Sequence, residues 1–142
     1  MILNKQVAVF LNIVNFRFKQ YINSIFSKYG FNLTPEQYLV MDTLWDDGVL
    51  SQQELADRLC KDKNSVTKLI DALEKKNLVK RVPDEADRRL NMIHFTDHSL
   101  TIKDRITEIA IESTNRIIRD IPEDELKILV KVLLKMEKNM DE

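Results

Sequence analysis

Two short helices joined by a two-residue turn constrain this chain more than anything else in it. Ser51-Gln52-Gln53-Glu54 is a capping box: the Ser side chain accepts from the third helical N–H and Glu54 reaches back to the cap. It opens a helix with Leu55, Ala56 and Leu59 inward. Asp62 can cap the next helix, in which Val66, Leu69, Ile70 and Leu73 form one apolar stripe. Only Cys60-Lys61 separates the two, so the pair reads as a helix-turn-helix. After Asn77 the pattern becomes extended. The runs Leu78–Val82 and Leu90–Phe95 flank a polar tip at 83–89, a β-hairpin with a seven-residue loop. A hairpin directly behind a helix-turn-helix makes a wing.

Helices account for the rest. Residues 4–29 lack Gly and Pro and carry Val7, Phe10, Leu11, Val14, Phe18, Tyr21, Ile22, Ile25 and Tyr29 at helical spacing, with a second stripe of Val9, Ile13 and Phe16. Two apolar faces on one helix suit a subunit interface. Thr34-Pro35-Glu36-Gln37 is a strong helix start with Tyr38, Met41, Leu44 and Trp45 inward. Thr96 can cap a long helix reaching about Arg119, and Pro122 starts a last one rich in Leu and Val. With 2 Gly and 3 Pro in 142 residues, a turn-rich sandwich or barrel is excluded. The fold class is therefore mainly α with a small β-hairpin wing: a winged helix-turn-helix at 34–96, with dimerisation helices at 1–33 and 97–142, in a single domain over 1–142.

Charge is distributed unevenly. The totals are 22 Lys and Arg against 23 Asp and Glu. Residues 36–57 hold six acids and no bases, whereas residues 58–81 hold eight bases and three acids. A local cationic face attracts a polyanion whatever the net charge. On the second helix of the pair, Lys63, Asn64, Ser65, Thr67 and Lys68 oppose the apolar stripe, where base edges can be read by hydrogen bonding; Asn suits adenine and Lys suits guanine acceptors. Asn64, Lys68, Asp71 and Lys75 share that face. Arg88 and Arg89 lie at the hairpin tip, where a cation can enter the minor groove. Ser51 and Gln52, at a helix start, can meet phosphate, although capping alone also explains Ser51.

These segments resemble the MarR family of bacterial transcription regulators. The resemblance covers essentially the whole chain. It is most specific at Ser51-Gln52-Gln53-Glu54-Leu55-Ala56-Asp57-Arg58-Leu59, at 62–79, and at Asp84-Glu85-Ala86-Asp87-Arg88-Arg89. It implies a homodimer built by the first and last helices, with winged domains gripping double-stranded DNA. It further implies repression relieved by a small lipophilic or phenolic effector, no cofactor and no enzymatic activity. The same resemblance assigns minor-groove insertion to Arg89 and its orientation to Asp87. A winged-helix module that docks an acidic protein partner, without DNA, is the alternative.

Other chemistries find little support. His94 and His98 fall on different elements, and neither a P-loop nor a GxGxxG sequence occurs. The uncharged run from Gln6 to Phe16 is eleven residues, too short to span a bilayer, and no small-residue cleavage site follows it, so it is read as part of the folded protein and the protein as cytoplasmic. Cys60 is the one cysteine, so no intramolecular disulfide can form. It stands where the resembling family has Gly or another small residue, and it is read as a buried structural thiol rather than a redox sensor.

Overall fold

The structure, a computed structural model, describes residues 2–141. Its elements run α1 (Leu3–Lys28), α2 (Pro35–Asp47), β1 (Leu50–Ser51), α3 (Gln52–Leu59), α4 (Lys63–Lys75), β2 (Val79–Pro83), β3 (Asn91–Phe95), α5 (Leu100–Ile117) and α6 (Glu123–Asn139). The chain divides into two compact units, Met1–Ala110 and Ile111–Glu142.

Local hydrogen bonds set the helix starts of the first unit. Thr34 Oγ1 accepts from the Gln37 N–H while Gln37 Oε1 accepts from the Thr34 N–H, and Pro35 takes the first helical position. Ser51 and Glu54 make the same reciprocal pair at α3, and Asp62 caps α4 by accepting from the Ser65 N–H at 2.7 Å. The core lies where the apolar stripes converge: Phe26 of α1, Val40, Met41 and Leu44 of α2, Leu55 of α3, Val66, Ile70 and Leu73 of α4, Ile93 of β3, and Ile106 of α5 are sealed from solvent. Phe26 meets the edges of Phe31 and Tyr38 with ring centroids 6.3 and 5.4 Å apart, an arrangement aromatic quadrupoles favour. Trp45 is buried with its indole N–H donating to Ser99 Oγ at 3.1 Å, and that hydroxyl donates onward to the Thr96 carbonyl.

The first hairpin strand runs one residue later than expected and the second starts one later but ends at Phe95 as expected, leaving Asp84–Leu90 as the seven-residue loop. It is also not alone. Leu50-Ser51 pairs antiparallel with β3, Leu50 opposite Ile93, which makes a three-stranded sheet in the order β1-β3-β2. A two-residue strand whose second residue also caps a helix has no alternation to betray it in the sequence. Thr96 caps a turn at 97–99 by accepting from the Ser99 N–H, and α5 follows at Leu100.

Ion pairs tie the helices together. The Glu36 carboxylate accepts from Lys19 of α1 on one oxygen and from Lys61, in the α3–α4 turn, on the other, both at 3.3 Å. The Lys61 hydrogen bond, above all, holds Glu36 below its ordinary carboxylate range. Lys76, just past α4, donates to the Asn32 carbonyl and to Gln37 Oε1 at 2.6 and 2.8 Å, and partial burial lowers its pKa.

Asp42 on α2 goes the other way. Desolvation, then the charge of Asp46, raise its carboxyl above the ordinary 3.8, against a hydrogen bond with Tyr38 and the charge of Lys103. A raised carboxyl binds protons more tightly folded than unfolded, so its contribution to stability falls as pH climbs from 3.8 toward the raised value. Asp42→Asn keeps an acceptor for Tyr38 and removes the charge. It should raise the melting temperature at pH 7 and remove that part of the pH slope, as followed by circular dichroism; an unchanged melting temperature at pH 7 would refute the assignment.

Only the C-terminal part of α1 joins the core. Ile22 and Phe26 are buried, while Val7, Val9, Phe10, Leu11, Ile13, Val14 and Phe16 are exposed. In the second unit, α6 has no buried residue among those described, and Ile128, Leu129, Val130, Val132, Leu133 and Leu134 are all exposed.

Candidate nucleic-acid interface

The α3–α4 pair presents one face of α4 to solvent because Val66, Ile70 and Leu73 are sealed beneath it. Lys63, Asn64 and Lys68 are exposed on that helix, and Ser65 and Thr67 are half-buried. The Ser65 backbone N–H, donating to Asp62, holds the capping carboxylate below its ordinary range, so α4 starts with a fixed charge and a fixed direction. Asp71 lies on the same face but is engaged: Arg81 of β2 donates to its carboxylate at 2.6 Å.

Three residues expected at this surface, Ser51, Gln52 and Thr67, have side-chain partners inside the protein. Gln52 Nε2 donates to Thr67 Oγ1 at 2.5 Å, and the Thr67 hydroxyl donates to the Lys63 carbonyl at 2.9 Å. The pair bridges α3 to α4. Ser51 is buried, and its hydroxyl accepts the Glu54 N–H as a helix cap. Sequence reasoning could recognise the Ser51 box, whose partners lie three residues apart, but not the Gln52–Thr67 bond, whose partners lie fifteen apart.

At the hairpin tip Asp87 accepts from both the backbone N–H and Nε of Arg89, each at 3.1 Å, and from its NH2 at 3.4 Å. The Arg89 side chain is nonetheless 91% exposed. Its hydrogen bond holds Asp87 below the usual carboxylate range, so the carboxylate that aims the guanidinium stays ionised. Asp87 in turn accepts its place from Asp84, whose carboxylate takes the Asp87 N–H at 3.1 Å. Arg88 is exposed beside them.

Arg81 is the residue the sequence reading missed. Its guanidinium donates to Glu74 at 2.7 Å, to Asp71 at 2.6 Å and to the Thr67 carbonyl at 3.4 Å, and its backbone N–H reaches Glu74 at 3.3 Å. The signal available was slight: Arg81 stands at the centre of a strand that also carries Lys80, and only packing shows that Arg81 is the half-buried one of the two.

Cys60 requires a correction. It is exposed rather than buried, with its Sγ 3.9 Å from the Asp57 carbonyl oxygen. It ends α3 in the left-handed region, at φ 50° and ψ 44°, where glycine is favoured because it has no Cβ to clash. The left-handed cap exposes the side chain. Cys60→Gly should stabilise the fold by about 0.5–1 kcal/mol, the left-handed penalty less the chain entropy of glycine. Denaturant unfolding measures this; a loss of stability would show that the thiol makes a contact worth more than the strain.

Three strands and a three-residue turn between α3 and α4 (Cys60, Lys61 and the capping Asp62), with an arginine-tipped hairpin behind them, define a winged helix-turn-helix protein. A family model described as the MarR family matches residues 33–90. The HTH-type transcriptional regulator MgrA of Staphylococcus aureus is 32% identical over 124 residues, which is 87% of this chain and 82% of MgrA. The structure of reduced AbfR bound to DNA is similar with a TM-score of 0.81 and 25% identity, over 99% of this chain and 95% of that one. AbsC, a MarR family transcriptional regulator from Streptomyces coelicolor, shares the fold with a TM-score of 0.86 at 22% identity, over 99% and 96% of the two chains. The chain belongs to the MarR family of winged-helix transcription regulators, which are not enzymes.

Proposed function

We propose that this protein is a homodimeric repressor that binds double-stranded DNA in a sequence-specific manner and releases it when a small lipophilic or phenolic effector binds. The observation that carries the DNA reading is the pairing of two cationic reading elements on one scaffold. Asn64 and Lys68 are exposed on α4, and Arg89 is exposed at the tip of a wing whose first strand is hydrogen-bonded to α4. AbfR and a MarR variant of E. coli, both similar in fold to this chain, have been solved bound to DNA, the latter with its operator. In this reading Lys63, Asn64, Ser65 and Lys68 enter the major groove, Arg88 and Arg89 meet the minor groove, and Asp87 orients Arg89. Gln52 and Thr67 hold α4 at its angle, and Ser51 acts through its cap.

The dimer reading rests on the exposed apolar residues of α1 and α6. Each of these helices by itself leaves a run of large apolar side chains exposed, and exposed apolar surface of this kind marks an association site. The effector reading rests on the family alone. Of the aromatic residues considered for it, Trp45 is buried and hydrogen-bonded, Tyr38 is half-buried against Phe26, and Phe18 is exposed. Among the described residues no helix is long and apolar enough to cross a membrane, and the cytoplasm is the compartment in which a DNA-binding regulator would act.

A gel-shift experiment on DNA flanking the gene for this protein, with scrambled duplex as competitor, tests the proposal. Retention of the flanking DNA against excess scrambled duplex is expected. Equal binding of the two at every salt concentration would discard the sequence-specific reading and favour docking of an acidic protein partner.

A further inference from the structure

We propose that Arg81 is a positioning residue for DNA reading: it locks the wing that carries Arg89 to the recognition helix that carries Asn64 and Lys68, so that both grooves are read in one register. The inference rests on the reading above, that α4 and the wing tip both touch DNA. Arg81 stands in the middle of β2 opposite Ile93, with a side chain only 20% exposed. Its contacts on α4 run from Thr67 to Glu74, about 10 Å of helix at 1.5 Å per residue. Three acceptors over that span fix both the distance and the rotation of a strand against a helix. Glu74 adds to this by accepting from the side chain on one oxygen and from the Arg81 backbone N–H on the other, which ties the strand itself and not merely its side chain. A planar fork of five donors can meet two carboxylates and a carbonyl at once, whereas an ammonium is a point charge.

The residue gripped at the near end is Thr67, and it is gripped twice. Gln52 of α3 bonds its hydroxyl and Arg81 of β2 bonds its carbonyl. Lys68 is the next residue and Asn64 lies one turn earlier, so any slip at this junction moves both base-reading side chains. From Arg81 the ladder continues through Val82 opposite Met92 and Pro83 opposite Asn91 into the loop that holds Arg89. The Asp71 carboxylate is about half exposed, and exposed ion pairs add little to folding stability. The geometry they impose is the more consequential product.

The test is a set of binding isotherms by fluorescence anisotropy, using the full chain and a duplex that the parent protein recovers from a random-sequence library. Arg89→Ala is measured in the parent and in an Arg81→Lys background, which keeps the charge; far-UV circular dichroism confirms that each variant is folded. In the parent, Arg89→Ala should weaken binding about tenfold. In the Arg81→Lys background the same substitution should change binding by no more than about twofold, because an unlocked wing no longer places residue 89. A second background, Asp71→Ala with Glu74→Ala, removes both side-chain acceptors and leaves Arg81 as a charge with only the Thr67 carbonyl in reach. Locking requires the same loss of the Arg89 effect there. If Arg81 contributed only charge, that background would bind DNA more tightly and keep the full Arg89 effect, and the proposal would be wrong. An equal cost for Arg89→Ala in all three backgrounds would also overturn it while leaving the DNA reading intact. If Arg89→Ala costs nothing in the parent, wing contact with DNA falls, and the proposal with it.

Discussion

Phe10→Asp should turn a stable dimer into a monomer and lower the apparent affinity for a two-half-site duplex by roughly 10²–10⁴, the range lost when linked binding modules become independent. Phe10 is 53% exposed and sits among Val7, Leu11, Ile13 and Val14, also exposed, so the substitution disturbs no packing within the chain. A carboxylate buried at an interface without a partner costs several kcal/mol in practice, enough to separate subunits at micromolar concentration. Light scattering should give twice the chain mass for the parent and the chain mass for the variant. The melting curve of the first unit should keep its cooperativity, because Ile22 and Phe26, which anchor α1 in the core, lie three and more turns away. A parent that scatters as a monomer would end the dimer reading. A variant that stays dimeric would move the interface away from this half of α1.

The second large effect separates the two DNA-reading elements. Asn64→Ala and Lys68→Ala should each cost roughly 1–3 kcal/mol and relax the preference at particular base positions, since a side chain on α4 meets one or two base edges in the major groove. A two-fold dimer should place those positions in half-sites about 10 base pairs apart. Arg89→Ala should behave otherwise. The minor groove offers a degenerate pattern of acceptors, and its narrow A·T tracts attract a cation for their potential rather than their identity. Binding should therefore weaken broadly, the salt dependence should fall by about one phosphate-equivalent, and any A·T preference flanking the half-sites should flatten. Isotherms over a salt series, with operator and scrambled duplex, give all three quantities. If Arg89→Ala matches the parent at every salt concentration, the hairpin serves structure alone.

What is legible in this sequence is what forms between near neighbours. Thr34 with Gln37, Ser51 with Glu54 and Asp62 with Ser65 are all three residues apart, and each places a helix start where the sequence puts it. Asp87 and Arg89 are two apart and meet as the Asp-x-Arg pattern implies. The apolar period of α4 predicts its buried residues because a helix turns by a fixed angle per residue. Thus the helices, the wing hairpin, and the face of α4 that carries Asn64 and Lys68 were determined by the sequence alone. The tertiary structure decided which polar side chains remain free to act. Gln52 and Thr67 look like surface donors until α3 packs on α4 and each becomes the other's partner. Asp71 shares a face with Asn64 and Lys68 but is claimed by Arg81, ten residues away on another element. Leu50-Ser51 becomes a strand only because β3, some forty residues later, supplies its ladder. Cys60, apolar enough to be assigned to the interior, is turned to solvent by the left-handed cap that the tight turn imposes. In each case the deciding partner is distant in the chain, and side-chain type and local spacing carry no record of which distant group will arrive at hydrogen-bonding distance.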